Sequence, residues 1–446
     1  MSKPLCVIQA PVFNRSGYGD LSTDIAKSIL RYDKYEVIVA PTKWGGCPPK
    51  TIEEGNATEE DKKLLNCFMR QPLNRQPDLF IQISIPNEFQ PVGKYNIGIT
   101  AGIEVDKPSG EFIDGMNRMN LGVVTSTFVK KVFEGASYAK QFPDGRQEPL
   151  KCVKPIEVCF WGANTDIYKK TDEKVQTIED ILSKIPETFA FLFVGQWTHG
   201  GTYNDRKDIG NLIKTFCNTF KGKEKKPCLI LKTSGVNFSI TDRMETLKKI
   251  DQVKNDVGGD IPNVYLLHGE LTDVEMNALF NHEKVKAHIN FTHGEGFGHP
   301  LLLATLSGKP LLVSNWSGHL DFLNPKYANL LEGTVKQINP ESANQWLIKE
   351  GNWFTVAYSL AEDKIKNTFN VYGGKLLEKA EALRVENAEK FSLQAMDKHL
   401  HGLLDKYVPQ FAVETKIVLP RLKKIELPKL KKVDSNNDTT NNTEKE

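Results

Sequence analysis

Residues 290–321 read NFTHGEGFGHPLLLATLSGKPLLVSNWSGHLD, and this stretch decides the fold. An acidic residue, Glu295, precedes the turn Gly296-Phe297-Gly298, then His299 and Pro300, then an apolar run over 301–306. Proline at a first helical position loses nothing by lacking an N–H, because the opening N–H groups of a helix have no intrahelical partner. Gly308 supplies a stop, Lys309-Pro310 a break, and Leu311-Leu312-Val313 a buried strand. The stretch is therefore a loop–helix–strand unit of a parallel sheet. Its chemistry suits a phosphorylated sugar: the glycines bring backbone N–H groups close to a ligand, the helix start favours an anion, and Glu295 accepts sugar hydroxyls.

Outward from this unit the same alternation continues. A strand over 5–10, a glycine loop over 14–20, a helix over 21–30 and a strand over 35–40 form a β-α-β unit. Strands are expected at 79–85, 95–100 and 121–125, with helices at 109–119 and 127–134. After Pro155 the pattern restarts, with strands at 156–160, 189–194, 229–232 and 264–267 and helices at 209–220 and 273–280. A helical stretch over 375–404 follows the glycine-loop unit.

Bulk properties exclude several function classes. The chain has 446 residues, 39% hydrophobic and 26% charged, enough for two or three domains with ample core. A formal net charge of +2 gives no bulk attraction to nucleic acid or anionic membrane. Seven dispersed cysteines include no C-x-x-C pair, which points to a reducing compartment, the cytoplasm. The N-terminus lacks a signal-peptide layout, and no run of about 18 apolar residues encodes a membrane span. Near the C-terminus VLPRLKKIELPKLKKV carries two L-P-x-L-K-K units, a local basic strip read as solvated; residues 435–446 have a disordered composition.

The 290–321 stretch resembles the signature of retaining nucleotide-sugar glycosyltransferases of the GT-B fold, of the family 4 or group 1 type that has phage-type members. Their usual pattern is E-G-F-G-x-P-x-x-E-A. Glu295-Gly296-Phe297-Gly298-His299-Pro300 match it, and Leu303 stands where the family has a glutamate that holds donor ribose. Ser317-Gly318-His319-Leu320-Asp321 aligns with the family's G-G-x-x-E element, which makes Asp321 a candidate to compensate. Arg206-Lys207 is similar to the R-K-G element that binds donor diphosphate, with Asp208 in place of its glycine and Gly195-Gln196 where the family often has Gly-Arg. Lys232, at the end of an apolar strand, is the candidate substitute for the missing cation. An Arg fork and a Lys point charge together suit a pyrophosphate.

The resemblance implies an α/β protein of GT-B architecture, two Rossmann-like domains facing a cleft. It divides the chain into an acceptor-side domain over 1–165, a donor domain over 166–390, a helix over 391–411 packing back on the first domain, and a basic, disordered tail over 412–446. The donor-binding set is then Arg206, Lys207, Lys232, Gly296, Phe297, Gly298, His299 and Asp321, with Glu295 holding the donor sugar. Where the family often supplies a histidine near the reacting centre, this chain has Glu104, with Asp106 second, so the catalytic candidates are Glu295, Glu104 and Asp106. Arg15, Gly17, Tyr18 and Gly19 form the acceptor-side loop. The implied activity is metal-independent, cofactor-free transfer of a hexosyl or pentosyl group, with retention, from a nucleotide-diphosphate sugar to a hydroxyl. No D-x-D pair occurs, and His288, His293, His299 and His319 match no zinc spacing. Glycan, lipid-linked and nucleic-acid acceptors stay open, hydroxymethylated DNA bases among them, as does a non-catalytic nucleotide-sugar-binding role.

Overall fold

Two parallel six-stranded sheets organise the chain, whose computed structural model describes residues 3–50, 57–235 and 237–411. The first sheet is built from β1 (Leu5–Ala10), β2 (Glu36–Pro41), β3 (Leu79–Ile83), β4 (Tyr95–Thr100) and β5 (Leu121–Val124). A hairpin, β6 (Ser137–Gln141) and β7 (Gln147–Lys151), precedes its last strand, β8 (Ile156–Val158). Its order is β2-β1-β3-β4-β5-β8. The second sheet takes β9 (Ala190–Val194), β10 (Cys228–Lys232), β11 (Val264–Leu267), β12 (Val285–Asn290), β13 (Leu311–Ser314) and β14 (Asn329–Leu331) in the order β11-β10-β9-β12-β13-β14. A two-stranded ribbon, β15 (Gly333–Gln337) and β16 (Asn352–Val356), follows. The expected α/β class with two Rossmann-like halves is what the structure shows.

Strands read as continuous apolar runs are central ones covered on both faces. β3 and β10 are buried at every position, as parallel sheets demand. Helix Gly17–Tyr32 begins four residues before the apolar spacing does, because the Ser16 hydroxyl accepts from the Gly19 N–H at 3.0 Å and fixes the first turn. The hairpin escaped the sequence reading for an equally local reason: its strands lie almost wholly in solvent and carry no apolar alternation.

The helical stretch over 375–404 is two helices, Gly374–Lys390 and Leu393–Tyr407. Ser392 breaks it by capping the second helix, its hydroxyl accepting from the Ala395 N–H at 3.1 Å. The Ala163 N–H donates to the Phe391 carbonyl and the Leu393 N–H to the Ala163 carbonyl, which ties this break to the connector. Helix Leu393–Tyr407 then reaches helix Gly17–Tyr32, where Arg31 forks onto Asp397 at 2.6 and 2.9 Å. One apolar core runs through both lobes by way of Ile8, Trp161, Leu192, Phe297 and Met396. The seven cysteines are unpaired, and no described helix is long and apolar enough to cross a membrane. The basic repeat and the end of the chain, residues 412–446, lie outside the described residues.

Candidate active site

In both sheets the strand order reverses once, and crevices for ligands open beyond the carboxyl ends of strands at such points. In the second sheet the reversal lies between β9 and β12. The loop after β9 leads to Asp205-Arg206-Lys207-Asp208, and the loop after β12 is the glycine stretch containing Glu295. The fold therefore brings two sequence motifs 88 residues apart to one place: the Lys207 ammonium pairs with the Glu295 carboxylate, and Arg206 Nη1 lies 3.4 Å from its other oxygen. Arg206 also donates to the Gly294 carbonyl at 2.8 Å and lies 3.9 Å from Glu104 on the first lobe.

Glu295 is 6% exposed. Burial alone would raise its pKa, but Lys207 and Arg206 outweigh that and hold it down at about 2, so it is ionised at neutral pH. Lys207 is shifted down, first by burial and then by Arg206, despite the pull of Glu295. Two cations thus share one buried carboxylate, and Lys207 is the cation whose proton is loosened. Glu104 is shifted up, chiefly by its surroundings of protein and secondarily by Glu295, against the pull of Arg206. Its side chain keeps 36% exposure, the mark of an acid standing in a cleft rather than in a core.

The glycine loop does two jobs. Gly294 and Gly296 face the first lobe so closely that an added Cβ would lie 2.1 Å from the Glu104 carbonyl and 2.1 Å from the Ala101 carbonyl, respectively. Their missing side chains are what lets the two lobes touch backbone to backbone. The Gly296 carbonyl accepts from the Ser126 hydroxyl at 2.5 Å, again across the cleft. On the donor side, the N–H groups of Gly296, Phe297 and Gly298 sit in buried residues and donate to nothing among the described residues. Buried N–H groups normally find an acceptor, so these three are suited to a ligand oxygen.

Other expected site residues are placed differently. Phe297 is 3% exposed with its ring 5.1 Å from Phe322, a core side chain whose contribution to the site is its backbone. His299 stacks on Trp161 at 3.7 Å and 3°, and its Nε2–H donates to the Gly162 carbonyl at 3.1 Å. Burial holds its pKa down at about 3, so it is neutral and its ring is held by the connector. Asp321, expected at the ribose, instead accepts from the Thr127 N–H at 2.7 Å and from the Thr127 hydroxyl, sealing the start of helix Thr127–Gly135 from the opposite lobe. Asp106 is bound on both oxygens by Asn352, from its N–H at 2.7 Å and its amide at 2.8 Å. Lys232 donates to the Gly269 carbonyl at 2.6 Å beneath the Phe238 ring, and burial lowers its pKa to about 8. No carboxylate among the described residues pairs with it.

On the first lobe, the Tyr18 hydroxyl lies 2.8 Å from Thr100 Oγ1 and accepts from the Ala101 N–H at 3.2 Å, so the first turn of helix Gly17–Tyr32 and the end of β4 with its following loop are joined. Gly17 is exposed, Gly19 packs on the Asn14 carbonyl, and Arg15 pairs with Glu270 of the second lobe.

Several supporting residues were missed. Asp205 accepts from the N–H groups of Lys207 at 3.0 Å and Ile209 at 3.2 Å, setting the turn that presents the two cations. Asp208 stands at φ 56, the left-handed region that explains a glycine at this place in the resembling pattern, and Asn211 and the Tyr358 hydroxyl donate to its carboxylate. The Ser317 hydroxyl accepts from the Glu295 N–H at 2.9 Å. Of these, only the acidic residues flanking a helix start carried a sequence signal.

No family model matches the chain, and no curated protein matches it significantly. Solved structures do. A glycosyltransferase from Rickettsia africae superposes with a TM-score of 0.58 at 14% identity, covering 92% of this chain and 99% of its own. HepE of Anabaena, solved in complex with UDP-glucose, gives 0.56 at 15% identity over 90% and 99%. Sucrose-phosphate synthase from Thermosynechococcus elongatus gives 0.56 at 10% identity over 91% and 98%. At these identities the likeness is one of fold, and the fold is GT-B.

Proposed function

We propose that the chain transfers a sugar from a nucleoside-diphosphate donor to a hydroxyl acceptor, with retention at the anomeric carbon and with side-chain cations rather than a metal ion facing the diphosphate. The observation that carries this reading is the buried Glu295 between Lys207 and Arg206, beside three loop N–H groups without a partner among the described residues. A diphosphate entering there gains two cations and backbone donors as the sugar–phosphate bond breaks and negative charge grows on the leaving oxygen. Glu295, kept ionised, accepts hydrogen bonds from the donor sugar's hydroxyls. Glu104, exposed to the cleft across from it, orients the acceptor hydroxyl. Contact between the lobes through Gly294 and Gly296 excludes water that would otherwise hydrolyse the donor.

The test is a thermal-shift screen with UDP-, GDP-, ADP- and TDP-sugars, beginning with UDP-glucose because HepE was solved with it. One donor should raise the melting temperature, equally with and without EDTA; at a hundred times its Kd the gain is about 2.7 kcal/mol. Lys207→Met should lose the shift and slow transfer at least about 100-fold, the usual scale for removing a charge-stabilising group. No shift with any donor in the unmodified protein would defeat the reading.

A further inference from the structure

We infer that the first lobe carries a saccharide subsite built on the Trp44 ring at the mouth of the cleft. The inference rests on the sugar-transfer reading above and names its acceptor class. Trp44 lies in the loop after β2 and stacks on Tyr18 with ring centroids 4.0 Å apart at 23°. Tyr18 cannot swing away, because its hydroxyl is held by Thr100 and by the Ala101 N–H. The carbonyl of that same Ala101 is the one against which Gly296 packs, so the aromatic pair stands one loop away from the donor cluster. Trp44 itself is only partly buried, and no second ring among the described residues covers it. A large aromatic left partly in water on the wall of a cleft is suited to an apolar ligand face.

The helix that holds Tyr18 also carries polar groups that a ligand on this lobe can use. Asp20 and Lys50 form an ion pair whose side chains are 42% and 41% exposed, and Asp24 beneath them accepts from the Trp161 indole N–H at 2.9 Å. A pyranose offers what this surface takes: a C–H face for the indole and hydroxyls for the carboxylate and ammonium. A phosphodiester chain does not fit as well. Of the cations here, Arg15 and Lys50 are already matched by Glu270 and Asp20, which leaves Lys43, exposed next to Trp44, to meet a polyanion.

Saturation-transfer NMR on the full chain tests this with maltose, cellobiose, lactose and sucrose as probes, and a duplex carrying 5-hydroxymethylcytosine as the competing class. At least one disaccharide should receive saturation from the unmodified protein and from Lys207→Met. Its affinity should fall about tenfold in Trp44→Ala and recover in Trp44→Tyr. Trp44→Ala should keep the donor-induced thermal shift, which also shows that it folds. Undiminished disaccharide binding in Trp44→Ala, binding of none of the four sugars, or displacement by the duplex would overturn the subsite. If instead no nucleotide sugar shifts the melting temperature while Trp44-dependent sugar binding persists, the subsite stands and the donor reading falls.

Discussion

On the second-lobe wall of the cleft the ionisable groups are buried: Lys207 and Glu295, paired with each other, are 8% and 6% exposed, and Asp205 and Asp208 are fully enclosed. On the first-lobe wall the polar groups, Glu104, Asp20 and Lys50, stay partly open to water. The first arrangement is fixed before any ligand arrives, as electrostatic stabilisation of a leaving group requires. The second leaves room for an acceptor to choose its contacts. The two walls meet at glycines, so the sharpest way to break the relation between them is to put a methyl group where they touch. Gly296→Ala places its Cβ 2.1 Å from the Ala101 carbonyl, and since both partners are backbone, the lobes must part. We expect about 3 kcal/mol lost in urea unfolding and transfer slowed at least about 100-fold by misplacement of the two walls. Unchanged stability would mean that the lobes do not close on this loop.

How much of this was legible depended on where the information lay. Much of both sheets could be read because central strands such as β3 and β10 are buried on two faces and punctuated by turns, as at the Gly298-His299-Pro300 helix start, whereas β12 and β14 were not read as strands. Glu295, Arg206 and Lys207 could be read because each sits in a local motif, although their pairing across 88 residues is a product of the fold. The contacts of Asp321 and Asp106 could not be read because a carboxylate's partner is set by the opposite lobe: Thr127 and Asn352 leave no trace in the residues around either acid. Trp44 was passed over because its only ring partner among the described residues, Tyr18, precedes it by a helix and a strand.

The interior wall can be sharpened through pH. Burial pushes the Asp208 carboxyl up to about 7, against the hydrogen bonds from Asn211 and Tyr358. An acid with a raised folded pKa contributes most to stability when protonated, below the unfolded value of about 3.9, and that contribution is lost as pH rises towards the folded value. Asp208→Asn keeps a side chain tolerant of the left-handed backbone and cannot ionise. Relative to the unmodified protein it should therefore gain stability as pH rises from about 4 to 7, roughly 4 kcal/mol in all, and nothing further above 7. Urea unfolding at closely spaced pH values measures this; a difference independent of pH would show that Asp208 is not the buried acid described.

The smallest effect is expected where the walls are joined at the surface. Asp321 gives its carboxylate to the N–H and hydroxyl of Thr127, a helix cap supplied from the other lobe. Asp321→Ala removes an acceptor but leaves Ser126 to cap the same helix, its hydroxyl accepting from the Val129 N–H at 3.2 Å, so the helix itself should persist. About 1 kcal/mol of stability should be lost, and because the bond spans the cleft, the loss should appear as a more open pair of lobes, read as a larger radius of gyration in solution scattering. Asp321→Asn, which can still accept from Thr127, should recover most of both. An Asp321→Ala protein with unchanged stability and dimensions but lost donor binding would return Asp321 to the donor site and leave the contact with Thr127 incidental.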